Sequence, residues 1–179
     1  IKQTRGMILT KATKLVDAVY SSTCGGFTED KQAVWGGTSN SALISKTDFP
    51  LSSQHKHQNI NKGLRESRLQ QWINSPAISY CALSKHSKDE KLRWQRKFTS
   101  IELQNIVSEE FPGIGRILAL QVRERGPGGR VSSLELQGTN AMYTLSKPLK
   151  IRTLFENLPS AAFYLQSSFD ANNDIQTVV

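Results

Sequence analysis

The sequence predicts an α+β domain made of antiparallel β-hairpins, a few separate helices and a long polar insertion. Residues 99–102 read Thr-Ser-Ile-Glu, a capping box, and the amphipathic pattern after them predicts a helix that ends near residue 110, before a Pro-Gly pair. Apolar and polar residues alternate over 117–123 and 130–136, on either side of a glycine-rich turn, which predicts a hairpin. No glycine fingerprint lies between a strand and a helix, so a parallel dinucleotide-binding fold is not supported.

Length and charge limit the class of protein. The 179 residues fit one domain, in which residues 38–64 are predicted to be a long surface loop or insertion because polar residues dominate them. No apolar run reaches the roughly 18 residues that a membrane-spanning helix needs. The net charge of +8 favours a polyanionic partner, such as nucleic acid, anionic lipid or a cell wall rich in carboxylate and phosphate. The basic residues are spread along the chain, a pattern also typical of solubility and weak steering.

The other elements are predicted from periodicity and breaker residues. In chain order they are strands at 3–10 and 15–20, a helix at 64–73, an extended segment at 77–83, a strand at 92–98, a strand at 141–145 in the same meander as the hairpin, a helix at 148–155, a strand at 162–165 and a loose polar tail at 170–176.

Residues 17–37, which we call the signature segment, hold the densest group of candidate site residues. An apolar Ala-Val-Tyr run leads into three hydroxylated residues, a cysteine, a glycine pair, a Thr-Glu-Asp step and a tryptophan before a second glycine pair. Glycines let a ligand or another strand approach the backbone, and hydroxyls donate and accept hydrogen bonds. This composition predicts an open polar site at the end of a strand; the alternative is a hairpin with a tight loop.

The signature segment resembles that of the stage II sporulation protein D family (SpoIID/LytB). The family shows a strand ending in Ala-Val-Tyr, a Ser-Thr-Ser-Gly-Gly-like loop, a Thr-Glu pair and a Trp-Gly step. The matching residues here are Ala18-Val19-Tyr20, Ser22-Thr23-Cys24-Gly25-Gly26, Thr28-Glu29 and Val34-Trp35-Gly36. Weaker similarity covers residues 4–9, the segment around Trp94, the 126–131 turn and residues 151–155.

The resemblance implies a peptidoglycan-remodelling domain that acts outside the cytoplasmic membrane. In that family the domain is a lytic transglycosylase of glycan strands, particularly strands stripped of peptides, or an enhancer of a partner amidase. The family's glutamate-containing segment would precede Ile1 and its closing segment would follow Val179. The resemblance therefore implies a single partial domain over 1–179 that does not cleave glycan by itself.

The same resemblance assigns the wall of a glycan-binding site. Its residues are Ser21, Ser22, Thr23, Gly25, Gly26, Thr28, Glu29, Trp35 and Asp48. Glu29 is the candidate acid within the signature segment, since glycan cleavage needs a proton donor; the alternative is a glutamate that orders a turn through backbone amides. The family's lysine position holds Ile44 here, and Lys46 is the candidate substitute.

Cys24 and Cys81 leave two alternatives open: a disulfide in an exported protein, or two buried free thiols. A thiol nucleophile is disfavoured because no histidine is close in sequence. A metal site that combines the cysteines with His55 and His57 lacks the usual close ligand pairs, so no metal and no other cofactor is expected.

Two further functions remain as alternatives. Within the cell wall, the domain could recruit an amidase without cutting glycan. From another class, Arg93, Trp94 and Arg96, together with arginines near the hairpin turn, could bind phosphates and stack a base. No signature of a known nucleic-acid-binding fold accompanies them, so a nucleic-acid partner is disfavoured.

Overall fold

A computed structural model of the chain describes residues 2–17, 19–21, 23–49, 63–64, 66–75, 79–86, 89–170 and 175–178. Within these residues the chain forms six helices and eight antiparallel strands in three small sheets, which confirms the α+β class. None of the helices formed by the described residues is both long enough and apolar enough to cross a membrane.

The main body packs a three-stranded sheet against two helices. Strands β4 (Ile117–Arg125), β5 (Val131–Gly138) and β6 (Met142–Ser146) form an antiparallel meander with β5 in the middle, confirming the predicted hairpin and third strand. Helices α5 (Ser100–Glu110) and α6 (Pro148–Leu154) were also predicted. The fully buried side chains at the centre of this core are Leu103, Val107, Ile114, Val131, Leu134, Leu136 and Ile151.

A smaller hydrophobic cluster lies towards the N-terminus of the chain. It consists of Phe27, Phe49, Leu64 and Leu69, with Trp72 and Ile73 packed against it. The last three residues belong to α2 (Glu66–Ile73), which confirms the predicted helix. Phe49 is 3% exposed, so the described part of the polar 38–64 segment contributes to this cluster.

The N-terminal strands are much shorter than predicted. Only β1 (Thr10–Lys11) and β2 (Lys14–Leu15) pair, around a tight link in which Ala12 has a φ of 53°. The apolar side chains beside them are exposed, Met7 at 72% and Leu9 at 62%. Burial of these side chains therefore does not stabilise longer strands. Within the signature segment, α1 (Lys31–Trp35) is a short helix that periodicity did not predict.

The predictions for 77–83 and 92–98 were largely wrong. The first segment holds a helical turn, α3 (Tyr80–Leu83), because the Ser79 side chain accepts a hydrogen bond from the Ala82 amide and caps it. In the second, α4 (Asp89–Leu92) is helical, and only β3 (Phe98–Thr99) is extended in a sheet. Residues 76–78 lie outside the described part of the chain.

The C-terminal predictions also need correction. Residues 162–165 pair with no strand in the described chain, although Phe163 is buried; the apolar pattern there reflects packing alone. The strands lie further on, at β7 (Ser167–Phe169) and β8 (Ile175–Val178), and β8 also pairs with β3. Residues 175 and 176 are therefore ordered in a sheet and not loose, since Ile175 and Val178 are buried. Residues 171–174 lie outside the described chain.

Candidate functional site

Glu29 anchors the signature segment to the turn between β4 and β5. Its Oε1 accepts a hydrogen bond from the Gly128 amide at 2.8 Å, and its Oε2 accepts one from the Arg130 amide at 3.2 Å. The amide of Asp30 also donates to Oε1, at 3.0 Å. Backbone amides that converge on a carboxylate hold it as an ordered anion, so Glu29 faces the turn.

Two glycines of the turn make room for this carboxylate. A Cβ atom at Gly126 would lie 2.6 Å from Glu29 Cδ, and one at Gly128 would lie 2.1 Å from the Thr28 carbonyl oxygen. Real Cβ atoms do not approach other atoms so closely, so a side chain at either position would push the signature segment away. The sequence predicts a hairpin turn at these glycines. The structure shows in addition that the turn binds the Glu29 carboxylate.

Arg130 binds the signature segment from the other side of the turn. Its guanidinium donates to the carbonyl oxygen of Phe27 at 3.2 Å and to that of Cys24 at 3.3 Å. Burial lowers the pKa of this arginine from its ordinary value, although the nearby Glu29 acts in the opposite direction. Glu29 of the signature segment thus binds the turn, and Arg130 of the turn binds the signature segment.

Cys24, Asp48 and Cys81 meet at one point beside the signature segment. The Cys24 thiol donates to Asp48 Oδ2 at 3.2 Å and lies 3.5 Å from the Cys81 sulfur. The Cys81 amide also donates to Asp48 Oδ2, at 3.0 Å. Both cysteines are free thiols and half-buried, so the disulfide alternative stays a prediction.

Electrostatics at this cluster disfavour a reactive thiolate. Burial raises the pKa of Cys24 to about 12, and the hydrogen bonds to Asp48 and Cys81 add to the rise. For Asp48, burial acts to raise the pKa, but the hydrogen bonds from Cys81 and Cys24 outweigh it and hold the pKa below its usual value. Asp48 is therefore charged at neutral pH, while Cys24 keeps its proton.

Trp72 covers the glycine pair of the signature segment. Its indole Nε1 donates to the Gly25 carbonyl oxygen at 3.3 Å, and its ring stacks on Phe49 at a centroid distance of 5.5 Å. Gly26 is buried against this ring, where a Cβ atom would lie 2.4 Å from Trp72 Cζ2. The Arg93 guanidinium lies 5.6 Å from the centre of the Trp72 ring, within range of a cation–π contact.

A cleft of about 1160 Å³ runs between the smaller cluster and the main body. Thr23, Cys24 and Gly25 of the signature segment form part of its wall. Aromatic residues and cations from other elements line the rest: Trp72, Trp94, Tyr164, Lys91, Arg93, Arg96 and Arg152. Glu90 and Asn74 also face it. The volume exceeds that of a typical pocket for a drug-sized ligand.

The other predicted site residues lie elsewhere. Ser21 is exposed, Trp35 is 52% exposed on α1, and the Thr28 hydroxyl accepts a hydrogen bond from the Lys46 amide at 2.8 Å. Among the described residues, those that line the cleft do not include Ser21, Thr28 or Trp35. Glu29 does not line the cleft either. Ser22 lies outside the described residues. Asp30 and Gly36, which flank α1, are the start and stop signals that could have revealed this helix.

The arginines near the hairpin turn are engaged within the fold. Arg123 forms a two-point contact with the buried Glu135, and Arg125 forms one with Glu66 of α2. Arg130 binds the signature segment, as described above. These guanidinium groups therefore join parts of the chain.

Comparison with known proteins identifies the family. The family model described as "Domain of unknown function (DUF8618)" matches residues 29–178, so the chain belongs to this family. No curated protein and no solved structure matches the chain. The matched region begins at Glu29 and includes the hairpin turn that binds it.

Proposed function

We propose that this domain binds the glycan strands of bacterial peptidoglycan, as part of a wall-remodelling protein of the SpoIID/LytB type. The observation that carries the proposal is the cleft, whose wall includes Thr23, Cys24 and Gly25 of the segment that resembles that family. In the full-length protein we infer lytic transglycosylase action or enhancement of a cell-wall amidase, outside the cytoplasmic membrane.

The chemistry of the cleft suits a sugar polymer. Aromatic faces such as those of Trp94 and Tyr164 can stack on the apolar faces of pyranose rings, with polar groups beside them to fix the orientation. Lys91 and Arg96 are exposed on the cleft wall and can pair with carboxylates. A glycan strand stripped of peptides carries one such carboxylate on each muramic acid residue.

Glu29 supports this site by positioning it. Three backbone amides already donate to its carboxylate, and Glu29 is not among the described residues that line the cleft. We therefore infer that Glu29 holds the cleft wall in place and does not donate the proton to a glycosidic oxygen. The same placement is compatible with a module that binds glycan and recruits an amidase without cutting.

The test is retention of the purified domain on peptidoglycan, intact and amidase-stripped, over a salt series. We expect retention on stripped glycan that weakens with salt but persists at high salt, and that at low salt falls at least several-fold in the double variant Lys91→Gln/Arg96→Gln. Lys97→Gln is the matched control, because Lys97 is exposed but does not line the cleft.

Two results would contradict the proposal. One is binding that disappears at modest salt and is equal for stripped glycan and for unrelated polyanions, because only diffuse charge would then be at work. The other is salt-sensitive binding of single-stranded DNA that excess glycan does not displace, which would favour the nucleic-acid alternative.

A further inference from the structure

We propose that Cys24, Asp48 and Cys81 form a binding site for a zinc ion, which clamps the signature segment to the segments that carry Asp48 and Cys81. One donor atom from each residue lies within 4.8 Å of the other two. Two sulfurs and a carboxylate oxygen are a donor set that zinc accepts in proteins. The proposal does not depend on the ligand of the cleft.

Two of the distances between the donor atoms are close to those of tetrahedral coordination. Zn–S bonds of about 2.3 Å and Zn–O bonds of about 2.1 Å require S–S and S–O separations of about 3.8 Å and about 3.6 Å in a tetrahedron. The observed separations are 3.5 Å between the sulfurs and 3.2 Å between Cys24 Sγ and Asp48 Oδ2. Outward shifts of about 0.3 Å and about 0.4 Å would bring these two separations to the tetrahedral values.

The surroundings hold the donors in place before an ion arrives. The Cys81 amide orients the Asp48 carboxylate, a contact typical of the groups that surround metal ligands. The backbone of Asp48 is fixed on both sides, since its amide donates to the Gly26 carbonyl at 2.9 Å and its carbonyl accepts from the Tyr80 amide at 2.8 Å. A site whose ligands are already placed loses little entropy on binding.

The ion would have to displace the thiol protons that the cluster keeps without it, and cations nearby offset the negative charge of the resulting site. Two thiolates and a carboxylate around Zn²⁺ give a net charge of about −1 once the thiol protons have left for solvent. Two half-buried guanidinium groups lie beside it: Arg130 donates to the Cys24 carbonyl at 3.3 Å and Arg93 to the Gly25 carbonyl at 3.5 Å. Cys24 belongs to the cleft wall, so a water molecule can take the fourth coordination position from that side.

The first measurement is a zinc titration of the reduced, metal-free domain in competition with a chromophoric chelator. We expect one zinc ion per chain, a higher midpoint of thermal unfolding with zinc, and an affinity at least about 10-fold lower in Asp48→Asn, because one ligand is weakened. Cys24→Ser is expected to abolish tight binding. Glu109→Gln is the control, since Glu109 is an exposed carboxylate at the end of α5.

Cobalt binding to the wild-type domain keeps the test independent of how well the variants fold. Co²⁺ held by thiolates in a tetrahedral site absorbs strongly in the near ultraviolet and visible range, and we expect this absorption with one equivalent. The proposal is overturned if the reduced wild-type domain binds zinc no more tightly than Cys24→Ser. It is also overturned if mass spectrometry finds a Cys24–Cys81 disulfide that persists in mild reductant.

Discussion

At the scale of single residues, the carboxylate of Glu29 has an architectural task. Its two oxygens meet the amides of Gly128 and Arg130, while the glycines of the turn leave space for it. Hydrogen bonds to a charged group contribute about 1.5 to 3 kcal/mol each when they are shielded from water. The position of the signature segment, and hence one wall of the cleft, depends on this contact.

Glu29→Gln is expected to destabilise the domain by about 1 to 3 kcal/mol, because the amide group keeps one acceptor oxygen but presents N–H donors to a backbone amide. Urea unfolding followed by circular dichroism measures the change. Glu109→Gln serves as the control and is expected to stay within about 0.5 kcal/mol of wild type. Equal midpoints for the two variants would contradict the architectural role.

The sequence is consistent with two roles for Glu29, a proton donor in a glycan site and a residue that orders a turn, and does not distinguish them. Ordering a turn and facing a ligand need the same residue type, and the turn that binds Glu29 lies 99 residues away. The meeting of Cys24, Asp48 and Cys81 was equally hidden, because 57 residues separate the two cysteines. Local pattern carries no information on such contacts.

At the scale of elements, α5 is held by the capping box that the sequence predicted. The Thr99 hydroxyl accepts from the Glu102 amide, and the Glu102 carboxylate accepts from the Thr99 amide at 2.8 Å. The hydrogen bond from the Thr99 amide lowers the pKa of Glu102 from its ordinary value, and the hydrogen bond from the Thr99 hydroxyl lowers it further. The box is therefore strongest when Glu102 is ionised.

The contribution of Glu102 is expected to disappear on acidification. A carboxyl group with a lower pKa in the folded state stabilises the fold above its unfolded pKa and loses this effect as the pH falls through its folded pKa. The difference in unfolding free energy between wild type and Glu102→Gln should thus be constant from pH 7 to about 5.5 and shrink below pH 4.5. Urea unfolding at several pH values measures it. A difference that grows on acidification would contradict the assignment.

Long periodic elements could be predicted and short ones could not. The periods of α5 and the β4–β5–β6 meander follow from faces that the main core buries, and the period of α2 follows from the face that the smaller cluster buries. By contrast, β8 contains four residues and gains its order from pairing with β3, which lies more than 70 residues earlier in the chain. Helix α3 depends on the single cap at Ser79. In both cases a contact determines the element, and the periodicity of a short segment carries no information about that contact.

At the scale of the whole molecule, the two hydrophobic clusters differ greatly in size. The main body buries fifteen hydrophobic residues in one cluster, whereas the cluster beside the signature segment buries four, within the described chain. Fewer buried contacts make local opening less costly. One wall of the cleft is thus built on the less stable part of the fold.

Trp72→Ala is expected to loosen this smaller part selectively. The ring contacts Phe27, Phe49 and the glycine pair, so its removal leaves a cavity at a cost near the lower end of about 3 to 5 kcal/mol. Amide hydrogen exchange should accelerate in residues 23–49 and α2 and stay unchanged in β5. Trp35→Ala is the control, because Trp35 is half exposed. Uniform acceleration across the chain would show instead that the two clusters open together.

The contacts between the signature segment and the hairpin turn also set an order of events during synthesis. Residues 99 to 106 positions apart in the chain must meet to form them. At about 5 to 20 residues per second, a ribosome adds that length in roughly 5 to 20 s. During this interval the nascent chain contains the signature segment but not the hairpin turn that binds Glu29. Even after the turn is made, contacts between residues so far apart in the chain form slowly. The cleft is therefore expected to be among the last features of the domain to acquire its native shape.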